Sequence, residues 1–393
     1  MAAKKIRVLV VEDSLVFRSL LVKYINEDPE LEVVAEANDP YEAREAIIKF
    51  KPDVMTLDVE LPRMTGLEFL RKLMPQYPIR TLVVSSLSEK VFEALQVGAV
   101  DFVAKPKVND KKELDEFIKN ELPEKIKAAS RARLRTSYGR NPQTGAQSVR
   151  NAALIKSAEA VKVSENLRKR DAKNNDDESV GEKVRELSLS GSLLNKEDMI
   201  IAIGASTGGC EATTAILERL GPDLPGIVVT QHMPEGFTKM YATRLDTQAG
   251  LDVRVKEAEN GDVVKPGHVY IAPGGDRHME IIKANGVYTI RLRNFEKVNG
   301  HKPSVEVLFN SVAEVAKDKA VGVILTGMGA DGAKGLLKMK ESGAKTIGQD
   351  ETTSVVYGMP KVAYDIGAVM FQEKLLDIPA RIYGCTEQVL RRK

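Results

Sequence analysis

Gly204-x-Ser206-x-Gly208 lies between an apolar run, IIAIGA, and an amphipathic segment, EATTAILERL. A tight turn at a strand end would present such a serine as a nucleophile, and the helix that follows would supply backbone N–H groups. The glycine spacing does not give the G-x-G-x-x-G of a dinucleotide-binding loop. A serine nucleophile needs a base, and the chain has four histidines. His232 follows GIVVTQ, which puts it at the same strand edge as Ser206. His268 precedes VYIAP, the wrong end of a parallel strand. His278 (PGGDRH) and His301 (NGHKPS) fall in polar loops able to line a substrate cleft. The base needs a carboxylate to set its tautomer. Asp331 is the acid in the glycine-rich loop after VGVILTG, where Met328 and Gly329 can offer backbone N–H groups to an oxyanion. On its own Asp331 would read as a helix N-cap. Cys210, four residues after Ser206, reads as helix core and not as a second nucleophile.

A second set of residues suits different chemistry. Glu12 and Asp13 end the run IRVLVVED, Asp58 ends VMTLD, Ser85 lies in TLVVSS, and Lys105 follows DFVA. Carboxylates gathered at one edge repel each other unless a divalent cation neutralises them, and an all-oxygen set with open water positions suits Mg²⁺. A carboxylate such as Asp58 can accept a phosphoryl group as an acyl phosphate. Mg²⁺, Lys105 and the Ser85 hydroxyl would then hold the phosphoryl oxygens.

Both sets need strands that end at a common edge, and the pattern supplies them. From residue 5 to 122, five β-branched runs alternate with amphipathic stretches, which predicts a parallel sheet covered on both faces. Asn38–Asp39–Pro40 is a helix start. The rhythm resumes at 198 and continues to 391, with HVYIAP, HMEIIKA and VYTIRLR expected as a small β meander turning at Asn285–Gly286. Residues 123–197 begin helical and basic and then become polar and poor in large apolar residues, which predicts a linker. The fold class is therefore α/β: two doubly wound parallel-sheet domains joined by a long polar linker. The order Ser206, His232, Asp331 differs from the Ser…Asp…His of α/β-hydrolases and disfavours that fold. A formal charge of 58 − 56 = +2 removes the electrostatic argument for a dedicated nucleic-acid binder. Two cysteines exclude a disulfide framework or a four-cysteine zinc site. With no apolar run of about 20 residues and acids early in the chain, a cytoplasmic protein is expected.

VVEDS, TLDVELPRMTG, VVSS and DFVAKP resemble a two-component receiver domain over residues 5–122. The resemblance implies that a histidine kinase phosphorylates Asp58 and that Asp13 and Asp58 hold Mg²⁺. Glu12 stands where that family more often has Asp, a difference a water can bridge. Phe102 matches the aromatic that couples phosphorylation to the opposite surface. IGASTGG, QHMPEGFTKMYATRLD, YIAPGGDRHM, HKPSVEVLF and LTGMGADGAKGLLKMKESGA resemble the chemotaxis protein-glutamate methylesterase catalytic domain. This likeness implies Ser206, His232 and Asp331 as a triad, Thr207 beside the nucleophile as a substrate-cleft residue, and the Met328 amide at the oxyanion. The partners implied are chemoreceptor cytoplasmic domains as substrate and the chemotaxis histidine kinase as phosphodonor. Deamidation of receptor glutamines is implied as well. The competing expectations are a receiver carrying a non-catalytic partner-binding module and an unregulated hydrolase of small esters. No basic helix-turn-helix supports a transcriptional role.

Overall fold

The structure, a computed structural model, describes residues 4–86, 89–106, 111–134, 196–248 and 250–391. The chain divides into two compact units, residues 1–139 and 140–393. The predicted linker between 135 and 195 lies outside the described residues. Among those described, no helix is long and apolar enough to cross a membrane.

In the first unit β1 (Ile6–Val11), β2 (Leu31–Ala37), β3 (Val54–Asp58), β4 (Arg80–Ser85) and β5 (Asp101–Ala104) form a parallel sheet in the order β2-β1-β3-β4-β5. The intervening helices are α1 (Leu15–Glu27), α2 (Pro40–Phe50), α3 (Gly66–Leu73) and α4 (Lys90–Val97), followed by α5 (Lys111–Glu116). Asp39 caps α2 as expected, accepting from the amides of Tyr41 and Glu42 at 2.8 and 2.9 Å. A π-helical turn over Phe117–Glu121 leads into α6 (Leu122–Arg131). The basic stretch expected to open the linker thus packs on this sheet instead. Ile126 and Ala129 are buried, and Lys125 and Lys127 pair with Asp101 and Asp28 at 2.6 and 2.9 Å. A buried face and ion pairs to acids distant in sequence are what the composition of the segment did not convey.

The second unit holds a seven-stranded parallel sheet, β14-β13-β12-β6-β7-β9-β8. Its strands are β6 (Ile200–Ala205), β7 (Gly226–Gln231), β8 (Arg254–Glu257), β9 (His268–Ile271), β12 (Ala320–Ile324), β13 (Lys345–Gln349) and β14 (Phe371–Glu373). Its helices are α7 (Gly209–Leu217), α8 (Phe237–Thr247), α9 (Val305–Val315), α10 (Ala333–Glu341), α11 (Met359–Asp365) and α12 (Ile378–Leu390). Every residue of β6, β7 and β12 is buried, the pattern of a strand covered on both faces. Each fully buried Val or Ile there contributes about 1.5–3 kcal/mol.

Outside the sheet, β10 (His278–Ala284) and β11 (Val287–Arg293) make an antiparallel hairpin through Asn285 and Gly286, at φ 50° and 86°. The expected third strand of that meander, HVYI, instead enters the central sheet as β9, between β7 and β8. Val269 and Ile271 are wholly buried there; an apolar run this short looks the same in a meander as in a covered sheet.

Asp58 closes β3, and its carbonyl oxygen lies 1.9 Å from where a Cβ on Gly66 would stand. Gly66→Ala must therefore displace the Asp58 loop. It should lower the stability of the first unit by about 1–3 kcal/mol, seen as a lower urea midpoint for that unit, while the transition of the second unit stays in place.

Candidate active site and phosphoacceptor site

An open parallel sheet binds ligands where its strand order reverses, outside the carboxyl ends of the strands. In the second unit that point lies between β6 and β12. β6 and β7 pair in register up to Ala205↔Gln231, so Ser206 and His232 leave neighbouring strands side by side. The Ser206 amide donates to the Thr326 carbonyl at 3.0 Å, and the Gln231 side chain donates to the Ser206 carbonyl at 2.9 Å. Gly208 turns the chain into α7 at φ 77°, and a Cβ on it would come within 2.6 Å of Val355.

The Ser206 hydroxyl lies 3.1 Å from His232 Nδ1, and His232 Nε2 lies 2.8 Å from Asp331 Oδ2. A carboxylate only accepts, so Nε2 carries the ring proton and Nδ1 turns a lone pair to the serine. Register explains why the near nitrogen faces Ser206: the two residues are adjacent. The far nitrogen reaches past the end of β6 to the loop after β12.

Asp331 is 1% exposed. Besides His232, it accepts from Asn299 Nδ2 (2.8 Å), Ser304 Oγ (2.7 Å) and the amides of Val305 (2.6 Å) and Glu306 (3.3 Å). Burial alone would raise this carboxyl, but the hydrogen bonds from His232, Asn299 and Ser304 outweigh it and hold the group well below the usual range. The amides belong to the start of α9, where the helix dipole also favours an anion. Glu306 returns the arrangement: burial raises its carboxyl, while the amides of Gly335 and Gly332, at the start of α10, oppose the rise.

His301 stacks on the His232 ring at 3.7 Å between centroids and 17° between planes. Met328 follows Gly327, where a Cβ would lie 2.7 Å from the Ser206 Cβ, so the expected oxyanion amide belongs to a segment packed on the serine. Two expected cleft residues are placed otherwise. Thr207 is buried at 1% exposure, and its carbonyl accepts from the Thr326 hydroxyl at 2.9 Å. His278 has no exposed surface, because it opens the hairpin strand β10 beneath the loop that carries His301. Cys210 is buried in α7, as expected of helix core. Asn299 and Ser304 were not singled out from sequence. Asn299–Gly300 has the composition of a tight turn, which the residues adopt at φ 53° and 82°, but nothing in it marked the Asn side chain as a partner for Asp331.

In the first unit the switch point falls between β1 and β3. Glu12, Asp13 and Asp58 bring carboxylate oxygens within 4.8 Å of one another. Lys105 Nζ bridges two of them, at 2.6 Å from Asp58 Oδ2 and 2.8 Å from Glu12 Oε2. Burial pushes the Glu12 and Asp58 carboxyls up, against the pull of Lys105. Glu12 Oε2 meets that charge without a well-aligned hydrogen bond, and Asp13 is exposed. A hard divalent cation fits this set: all donors are oxygens, and the negative charge exceeds what one ammonium neutralises. Ser85 is buried at the end of β4, and its carbonyl accepts from the Lys105 amide at 2.8 Å. Phe102 is a buried aromatic packed edge-on against Phe92.

These two sites define a receiver joined to a serine-hydrolase-like unit. The CheB methylesterase family model matches residues 201–382, and the response regulator receiver domain model matches 8–119. A "Protein-glutamate methylesterase/protein-glutamine glutaminase 2" of Syntrophomonas wolfei subsp. wolfei is 48% identical, covering 99% of this chain and 100% of its own. A "Protein-glutamate methylesterase/protein-glutamine glutaminase" of Sulfurimonas denitrificans is 45% identical, covering 96% and 97%. The crystal structure of the Thermotoga maritima CheB methylesterase catalytic domain is 43% identical, covering 47% of this chain and 97% of its own, with a TM-score of 0.46. The chain belongs to the CheB methylesterase family. It is therefore an ester hydrolase bearing a response-regulator receiver.

The tautomer deduced for His232 is directly measurable. In ¹⁵N spectra of the full chain, the neutral ring should carry its proton on Nε2 and show Nδ1 as the bare nitrogen, the reverse of the chymotrypsin-type arrangement.

Proposed function

We propose that this chain hydrolyses glutamate methyl esters on the cytoplasmic helices of chemoreceptors, using Ser206, His232 and Asp331, and that phosphorylation of Asp58 activates it. The observation that carries this reading is the continuous hydrogen-bonded path from the Ser206 hydroxyl through His232 to a buried, ionised Asp331. A surface that only bound a partner would have no use for a charge held at such desolvation cost.

In the forward step His232 Nδ1 takes the Ser206 proton as Oγ attacks the ester carbonyl. Asp331 stabilises the resulting imidazolium, and the Met328 amide donates to the tetrahedral oxyanion. The C–O bond to the methoxy group breaks, Nδ1 returns the proton, and methanol departs. Water, deprotonated by the same nitrogen, then cleaves the acyl-enzyme to a free glutamate and restores Ser206. A receptor glutamine would follow the same path with ammonia as leaving group. His301, stacked on the base, and the Thr207 backbone would border the site.

On the receiver, Glu12, Asp13 and Asp58 would hold Mg²⁺, which neutralises charge as the phosphoryl group arrives from a chemotaxis histidine kinase. Asp58 Oδ supplies the nucleophile, and Lys105 would turn from bridging carboxylates to pairing with a phosphoryl oxygen. Ser85 would follow that oxygen, and Phe102 would pass the change to the opposite face.

The test is methanol release from methylated receptor membranes. Ser206→Ala should abolish it in a folded, phosphorylatable protein, and Asp331→Asn should cost about 10⁴-fold, the effect of that change in the chymotrypsin triad. Turnover by Ser206→Ala at the wild-type rate would refute the assignment. Control by the receiver has its own readout. A fragment lacking residues 1–197 should be constitutively active and Asp58→Asn should stay at the basal level. A restraint that holds 99% of molecules inactive allows about a 100-fold gain on release. A fragment no faster than the unphosphorylated full chain would refute restraint by the receiver and leave phosphorylation to act by building the site or recruiting the receptor.

A further inference from the structure

His278 was expected at a cleft, yet it has no exposed surface. Its ring stacks on Phe295, with 4.3 Å between centroids. Nε2 lies 3.0 Å from the Glu296 carbonyl oxygen, and the Ser304 amide points at Nδ1 from 3.2 Å. A carbonyl only accepts and an amide N–H only donates, so one form of the ring satisfies both: neutral, with the proton on Nε2. Ser304 is the residue before α9, and its hydroxyl holds Asp331 Oδ1 at 2.7 Å while the next amide holds Oδ2 at 2.6 Å. The imidazole therefore fixes the peptide on which the Asp331 carboxylate is mounted.

We propose that His278 is a positioning residue for ester hydrolysis: as a neutral ring it anchors the Ser304 amide, and through Ser304 it aims Asp331 at His232. This deepens the triad reading and rests on it. Protonating His278 would set an N–H against the N–H of Ser304, so the mount should loosen in acid. The charged groups around the ring are Lys302, which opposes protonation, and Asp331 and Glu280, which favour it, with Arg293 opposite on β11. Burial is the largest influence and holds the ring's pKa below its ordinary value. The sign follows: this contribution to stability is complete above the unfolded-state pKa and is lost as pH falls from there toward the lower folded-state pKa.

Asn and Gln separate the two ring contacts. His278→Asn places an acceptor near the Nδ1 position and keeps the Ser304 bond, whereas His278→Gln reaches the Glu296 carbonyl and abandons Ser304. In the full chain, assayed by methanol release from methylated receptor membranes, Asn should stay within about threefold of wild-type kcat. Gln should lose about 10- to 100-fold, the scale of a small misplacement of catalytic groups, with KM unchanged. Wild type should also show a steeper acid limb of kcat/KM than His278→Asn, because two protonations disable it instead of one. Equal kcat for Asn and Gln, a change confined to KM, or identical acid limbs would each overturn the proposal. If neither variant folds, ¹⁵N spectra of the wild-type imidazoles decide it: a protonated Nδ1 on His278 at neutral pH would refute it. Ser206→Ala run alongside keeps the two readings apart. Its retained activity would break the triad and leave the ¹⁵N result to judge His278. Its loss, with Gln unimpaired, would overturn the role of His278 alone.

Discussion

A carboxylate buried as deeply as Asp331 stays charged only if protein donors replace the water it has lost. Two side chains, a hydroxyl and two helix amides do so, and they come from three places: the β7 edge, the Asn299 turn and the start of α9. Leaving even one such partner unmet costs about 1–3 kcal/mol. The loop after β12, the loop before α9 and the His232 ring are consequently tied to one point. Glu306 adds the reciprocal tie from α9 to the start of α10. Through His232 this knot also fixes the ring nitrogen that faces Ser206.

The two units solve the same placement problem with opposite electrostatics. Each puts its chemistry where the strand order reverses, beside its central strand. The receiver crowds three carboxylates together and relies on cations to hold them, with Lys105 already bridging two. The hydrolase unit buries Asp331 and stabilises its charge with directed hydrogen bonds. The acidic cluster of the receiver keeps Asp13 exposed, whereas Ser206 and His232 are packed against Gly327 and the stacked His301.

Strand-end logic made much of this legible from the sequence. Apolar runs gave the strand edges, and the residues just past them, Ser206, His232 and Asp331, do meet. So do Glu12, Asp13, Asp58 and Lys105. The logic failed where a residue's environment is set by tertiary packing. A polar loop composition suggested a cleft for His278, but the hairpin places it under the loop that carries His301. HVYI has the same pattern whether it joins a hairpin or a covered sheet. The basic face of α6 resembled a linker because its acid partners, Asp28 and Asp101, are far away in sequence. Asn299 and Ser304 carry no motif at all; only the fold brings them to Asp331.

The origin of the three residues at the ester site also bears on how the protein comes into being. Ser206 and His232 belong to one β-α-β crossover, β6 through β7, separated by 26 residues. Asp331 arrives from the other flank of β6, 99 residues beyond His232, after the chain has built β8, β9 and the hairpin. A nascent chain that has paired β6 with β7 holds a serine and an unaimed imidazole, and nothing more. Docking of β12 beside β6 is a long-range event and therefore slow, and the same step delivers the acid. The hydrogen-bonded path from Ser206 through His232 to Asp331 is thus absent from partly folded chains until β12 has docked beside β6.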